Sequence, residues 1–183
     1  MVAPGPRVVV GGISGSGKST LARELARRLG APHVELDAHF HGPGWTATPD
    51  DAFLASVTAA VAGDTWVVDG NYTRVREAVW SRATTFVWLD YARWVGTWRA
   101  TRRTARRLLV REELWNGNRE VWANIRDPGH PIWWSWTQHP GCRAKYEAAV
   151  ADPRWAHVDV VRLRSPRETA AWLATLPHYA ARP

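Results

Sequence analysis

Short apolar runs alternate along the chain with longer segments of helical periodicity. Residues 7–11, 32–37, 65–69, 85–90 and 157–163 read as strands, and three of these end in a carboxylate: Asp37, Asp69 and Asp90. Between them, residues 20–30 read as a helix. In residues 50–62 the apolar positions Phe53, Leu54, Val57 and Val61 carry helical spacing until Gly63 stops it. Residues 75–82 predict a short helix, 93–113 a long one, 118–126 another short one after the break at Gly117, and 143–150 a further one. Ser165 and Glu168 form an S-x-x-E capping box with Pro166 at the first helical position, opening a last helix through Leu176. Residues 38–49 and 127–141 are punctuated by Gly, Pro, His and Trp and are expected as irregular loops. Strands alternating with helices predict an α/β fold, a single domain over 1–183 with three α/β/α layers and a five-stranded parallel sheet. Ligands of such sheets bind beyond the carboxyl ends of the strands, so Asp37, Asp69 and Asp90 are expected to converge on one site.

The first strand runs directly into Gly12, Ile13, Ser14, Gly15, Ser16, Gly17, Lys18 and Ser19, a complete G-x-x-x-x-G-K-S sequence, and the first helix follows at Thr20. Strand, glycine loop and helix together make the P-loop NTPase signature. The glycines let backbone N–H groups turn inward around phosphate oxygens, and the helix N-terminus adds partial positive charge. Lys18 is then expected on the β/γ-phosphates and the Ser19 hydroxyl on Mg²⁺, making ATP and Mg²⁺ the implied cofactors. The third and fourth strands end Asp69-Gly70 and Asp90-Tyr91, with no Asp-Glu pair to activate water, and no Asn-Lys-x-Asp motif selects guanine. Transfer to a bound acceptor is therefore expected ahead of motor or switch work, a chemistry that asks mainly for positioning and charge neutralisation.

Composition narrows this picture further. The net charge is +7, but of 24 basic residues only Lys18 and Lys145 are lysine. Nucleic-acid binding is thus possible and not favoured. Cys142 is the single cysteine, which excludes an internal disulfide. No run is apolar enough to span a bilayer, and the first strand begins too early to leave room for a signal peptide, so a cytoplasmic monomer or homodimer is expected. On a helical wheel of residues 93–113, Arg99, Arg102, Arg103, Arg106, Arg107 and Arg111 fall on one half, opposite Trp94, Trp98, Ala105, Leu108 and Leu109. That arginine face is either a clamp on transferring phosphate or a solvated charged surface; six like charges on one face favour an anion.

The phosphate loop, the strand ending Val67-Val68-Asp69-Gly70 and the arginine helix resemble the adenylate-kinase branch of P-loop kinases. Closer still are the bacterial adenylate-kinase-related proteins labelled topology modulation proteins, through Glu35-Leu36-Asp37, Pro43-Gly44-Trp45, the stretch from Val67 to Tyr72 and the stretch from Arg111 to Glu120. The resemblance implies a nucleotide-kinase-like fold with residues 93–141 as a lid. It also implies nucleotide contacts for Arg99 and Arg103, which match the family's Arg-x-x-x-Arg pair; these two and Arg106 are the candidates to stabilise transition-state charge. After Gly70 the chain reads Asn71-Tyr72-Thr73-Arg74 where adenylate kinases have a Pro-Arg step, which puts AMP in doubt as acceptor. Asp37 is the candidate to orient an acceptor hydroxyl, its alternative being a local capping carboxylate. Asp69 is the candidate for Mg²⁺, through water, or for the acceptor. His39, Trp45, Asn71 and Arg74 are candidate acceptor contacts, Trp45 being alternatively a loop plug. Trp133, Trp134 and Trp136 are either packing or a stacking platform. The leading expectation is a kinase transferring the γ-phosphoryl group of ATP to a small-molecule acceptor: a nucleoside, a nucleotide or another hydroxyl compound. The alternative is a nucleotide-dependent nucleic-acid-binding or regulatory protein with weak ATPase activity.

Overall fold

The computed structural model describes residues 3–70 and 72–176, except for the side chains of residues 123 and 124. Five parallel strands, β1 (Arg7–Gly12), β2 (His33–Glu35), β3 (Trp66–Asp69), β4 (Thr85–Leu89) and β5 (Asp159–Leu163), pair in the order β2-β3-β1-β4-β5. β1 is central, and its Val8, Val9 and Val10 are almost wholly buried. Successive strand side chains point to opposite faces, so these three valines divide between two cores. Val9 faces Phe53, Trp66, Trp80 and Tyr146, which belong to the layer with α3 (Asp50–Ala60), α4 (Arg76–Trp80) and α7 (His139–Ala151). Val8 and Val10 face Leu21, Leu25 and Trp172, which come from α1 (Lys18–Leu29) and α8 (Pro166–Thr175). This is the expected three-layer α/β/α sandwich.

Four local departures bear on the site. β2 stops at Glu35, and Leu36 turns the chain into a short helix α2 (Leu36–Phe40). Leu36 is buried against Gly70, where a Cβ would lie 2.7 Å from Leu36 Cβ, so Asp37 projects from a helical turn instead of ending a strand. Residues 131–137, expected as loop, form α6 (Pro131–Thr137), with Pro131 in its first turn and His130 Nδ1 accepting from Ile132 N at 3.3 Å. α7 likewise starts at His139, four residues before the expected 143. Asp90, at the end of β4, does not join the other strand-end carboxylates. It is buried among Arg162, whose Nε and Nη2 donate at 2.9 and 2.7 Å, and Arg143 at 3.3 Å, where it ties β4 to β5 and α7.

The long arginine helix α5 (Arg93–Val110) buries neither of the faces the wheel marked. Its buried strip is Gly96, Ala100 and Thr104. Trp94 and Trp98 remain 66% and 60% exposed, and Leu109 is exposed as well. Small side chains allow closer approach than tryptophan, and here closeness decides, because α5 lies on the phosphate loop. No helix among the described residues is long and apolar enough to cross a membrane.

Candidate functional site

The loop from Gly12 to Lys18 wraps tightly at the mouth of β1. Ser16 N donates to Ile13 O at 3.1 Å, and Lys18 Nζ donates to the same carbonyl at 3.4 Å. Gly15 and Gly17 have φ of 78° and 95°, a left-handed backbone that only glycine adopts freely. Gly15 is required twice over, since a Cβ there would lie 2.1 Å from Gly96 O on α5. Gly12 N donates to Tyr146 Oη at 3.0 Å, anchoring the loop to α7; burial of that phenol pushes its pKa up. α1 begins at Lys18 with no acidic residue in its first turn, so its N-terminus offers unopposed partial positive charge to an anion. Ser14 through Thr20 all line one open cleft of about 1430 Å³.

A ladder of arginines on α5 runs along that cleft, one turn apart at Arg99, Arg103 and Arg107. Arg99 Nη1 donates to Ser16 O at 3.2 Å, and its guanidinium sits 5.7 Å over the Tyr91 ring. Arg103 is the most desolvated, with a buried Nε that has no partner. Burial lowers its pKa, Arg107 adds to the effect, and Glu120, Asp37 and Glu112 oppose it. A guanidinium stays charged at neutral pH even so, so Arg103 keeps a positive charge at the cleft wall, with Glu120, Asp37 and Glu112 near it and no hydrogen bond at Nε. Arg107 is paired with Glu120 at 3.0 Å and lies 3.8 Å from Glu112. Arg106 and Arg102 stay exposed along the rim.

At the far end of the cleft Asp37 Oδ1 accepts from Tyr72 Oη at 2.7 Å. Burial, Asp37 and Asp69 together push the Tyr72 pKa up, so the phenol holds its proton and donates. His41, Trp45 and Trp115 form an aromatic wall, with His41 and Trp115 nearly parallel at 18° and 6.2 Å between centroids. Two tight turns build the wall, Pro43–Trp45 and Trp115–Gly117. Asn118, buried between them, accepts from Trp45 N at 3.0 Å and donates to Gly42 O at 2.9 Å, while Asn116 donates to His41 O at 2.6 Å. The segment after α5 is thereby fastened to the loop after α2.

Of the residues singled out from sequence, the cleft gathers the phosphate loop, Asp37, Trp45, Arg99, Arg103 and Arg106. It does not gather three others. His39 Nδ1 is 2.7 Å from Ser56 Oγ, outside the cleft. Arg74 pairs with Asp50 on the surface and lies over Phe40. Asp69 is buried beside His33, 3.3 Å from its Nε2, and its Oδ1 accepts no hydrogen bond. Asn71 lies outside the described residues. Sequence reasoning did not pick out Tyr72, His41 or Trp115, whose contacts join segments 35 to 75 residues apart. Of the 13 tryptophans, five are core, two line the cleft, and six are exposed, among them Trp133, Trp134 and Trp136. Trp136 carries Arg93 at 3.7 Å over its ring.

Among the described residues no group of three or more His, Cys, Asp or Glu could hold a metal by itself. The donors that are present suit Mg²⁺, which keeps its waters and takes one or two protein oxygens beside substrate phosphates. Ser19 lines the cleft at the helix N-terminus, whereas Asp69, whose buried Oδ1 faces His33 Nε2 at 3.3 Å, does not line it and could act on the ion only through water.

No protein-family model and no curated protein matches the chain. Among solved structures it is similar to an unliganded sugar kinase from Janibacter sp. HTCC2649, with 25% identity and a TM-score of 0.51 over 93% of this chain and 94% of that one. A shikimate kinase from Acinetobacter baumannii, solved with shikimate, matches at 17% identity and 0.54 over 91% and 88%. The chain has the P-loop kinase fold. A gluconokinase from Sinorhizobium meliloti 1021 is a further similar structure, at 23% identity and a TM-score of 0.44 over 93% of this chain and 92% of that one.

Proposed function

We propose that this protein is a kinase of the adenylate-kinase-related branch that transfers the γ-phosphoryl group of ATP to a hydroxyl of a small acceptor. One observation carries the reading: a single cleft is lined by the phosphate loop, by Asp37, and by Arg99 and Arg103 from α5. The similar sugar kinase supports a hydroxyl acceptor. Backbone N–H groups of the loop and Lys18 bind the β- and γ-phosphates. Ser19, with Asp69 through water, would hold Mg²⁺, and the ion would supply neutralisation of phosphate charge when bound. Tyr72 fixes one oxygen of Asp37, leaving the other to accept the acceptor's O–H. As the acceptor oxygen bonds to the γ-phosphorus, the bond between that phosphorus and the β,γ-bridging oxygen breaks, ADP leaves with the bridging oxygen, and the hydroxyl proton passes to Asp37. Arg99 and Arg103 stabilise the charge spread over the equatorial oxygens, and α5, seated on the loop, keeps water out. The test is an ATP-consumption screen against nucleosides, nucleotides, sugars and small alcohols. Stimulation by none of them refutes the reading.

A second reading, nucleotide-dependent nucleic-acid binding, draws on the exposed tryptophans and on Arg102 and Arg106. Tight DNA or RNA binding with a steep salt slope, lost on changing Arg102 and Arg106, would favour it over phosphoryl transfer.

A further inference from the structure

Along the arginine ladder the pairing changes from one end of the cleft to the other. Among the described residues Arg99 and Arg103 form no ion pair within 4 Å, whereas Arg107 is already paired with Glu120 and lies near Glu112. Beyond Arg103 the balance of charge reverses. Glu35, Asp37, Glu112 and Glu120 line the cleft, the last three close enough to Arg103 to act on its charge, against Arg103, Arg107 and Arg106, which lies 4.0 Å from Glu112. Among the described residues neither Glu35 nor Asp37 forms an ion pair, in a chain that carries 24 basic residues to 17 acidic ones. Glu120 has a side chain only 7% exposed, and its Oε2 is buried with no partner. That oxygen asks for a donor, an O–H or N–H, which no neighbour supplies. Arg102 and Arg106 stay at the rim, where solvent screens them.

The wall opposite is aromatic. His41, Trp45 and Trp115 present ring faces and edges to the same space, and Trp45 is held at φ 61° to do so. A backbone in that region disfavours a bulky residue by about 1–2 kcal/mol, and such strain persists only where the surroundings impose it. Here Asn118 imposes it. Aromatic faces with surplus carboxylates suit a ring whose C–H groups or ammonium stack on the π-face while its hydroxyls donate to the acids. They repel a carboxylate or phosphate.

Building on the kinase reading above, we infer that the acceptor is a ring polyol carrying no negative charge, neutral or amine-bearing, and that nucleotides and sugar acids are excluded by Glu35, Glu112 and Glu120. Arg103 does not reverse this preference, because the transferring phosphoryl group takes it.

The test uses the whole protein with ATP and Mg²⁺ and matched acceptors: glucosamine, glucose, glucuronate and glucose 6-phosphate, adenosine against adenosine monophosphate, and acyclic glycerol. Neutral or amine-bearing rings are expected to exceed their anionic counterparts at least tenfold in kcat/KM. Glu35→Gln is expected to narrow that ratio about fivefold, and Trp115→Ala to lower ring acceptors towards glycerol. Turnover best with an anionic or acyclic acceptor overturns the inference and leaves the kinase reading standing. A ratio unchanged in Glu35→Gln overturns the electrostatic cause. No turnover with any acceptor overturns both readings.

Discussion

Replacing Gly15 by alanine adds one methyl group where the phosphate loop meets α5. The added Cβ would stand 2.1 Å from Gly96 O and 2.9 Å from Ala100 N, both backbone atoms that no rotamer change can clear. A carbon-to-oxygen contact needs about 3.3 Å, so loop and helix must part by about 1.2 Å. The φ of 78° adds about 1–2 kcal/mol for a residue with a Cβ. Overpacking adds about 1–3 kcal/mol, and a chain of this size loses about 2–4 °C of Tm per kcal/mol, so a fall of about 5–15 °C is expected. The functional loss should be larger. Arg99 is one turn from Gly96 on the same helix and reaches Ser16 O, and Arg103 follows it. Misplacing such groups by about 1 Å costs on the order of a hundredfold in rate, about 2.7 kcal/mol of barrier. Acceptor-dependent ADP release, measured below the variant's melting range, reads that loss directly.

Gly96→Ala is the companion measurement. Alanine favours the helix by up to about 1 kcal/mol over glycine, while its Cβ would meet Ile13 Cγ2 at 3.0 Å and Ser14 O at 3.1 Å, a shift of only a few tenths of an ångström. Its Tm should hardly move and its turnover should fall about three- to tenfold. A folded Gly15→Ala protein with turnover within about threefold of the unaltered chain would refute the reasoning, since α5 could not then rest on the loop during transfer.

Three further outcomes are expected. Lys18→Ala should abolish acceptor-dependent turnover with an unchanged far-ultraviolet circular dichroism spectrum; residual turnover above a few per cent contradicts its place on the phosphates. Asp37→Asn should reduce acceptor phosphorylation by about 10²–10⁴-fold with little change in ATP affinity by calorimetry, and a parallel fall in both removes Asp37 from the acceptor. His130 accepts from Ile132 N only when Nδ1 is unprotonated, and burial holds its pKa below the ordinary 6.5. A histidine depressed in the folded state contributes stability in full above the unfolded pKa and loses it as pH falls towards the folded one. Tm should therefore drop more from pH 7 to 5 in the unaltered protein than in His130→Asn, which keeps a capping oxygen; parallel curves would disprove the assignment.

The sheet and the phosphate loop were readable because their signals are local. A run such as Val8-Val9-Val10 followed by glycines at fixed spacing needs no knowledge of its neighbours. α5 was misread for the complementary reason: the weight of an apolar residue does not reveal which face meets a partner. Gly96, Ala100 and Thr104 carry almost no hydrophobic signal, yet they are the buried strip, since only small residues let the helix reach Gly15. α6 escaped notice because a tryptophan-rich run lacks a polar side, and histidine is an unusual N-cap. Asp37 looked like the end of a strand because the notch that receives Leu36 is made by Gly70, far along the chain.

The pair of turns over the acceptor end carries the same lesson into function. Trp115–Gly117 places Asn116 and Gly117 at φ 56° and 75°, where Asn-Gly is the natural choice. Pro43–Trp45 places Gly44 and Trp45 at 66° and 61°, and a tryptophan in the second position is a poor local choice. Sequence propensity alone would relax that turn. What holds it is Asn118, so the conformation of the aromatic wall depends on the segment after α5 staying docked. Were that segment to move as the expected lid, Trp45 would be free to leave its strained backbone, and Trp115 and Glu120 would be withdrawn with it. Acceptor recognition and coverage of the phosphate loop then become one event, because both are carried by the continuous chain from Gly96 to Glu120. An acceptor that does not fill the aromatic wall leaves that chain without support at its far end. Such a coupling suppresses transfer to water without a separate gate.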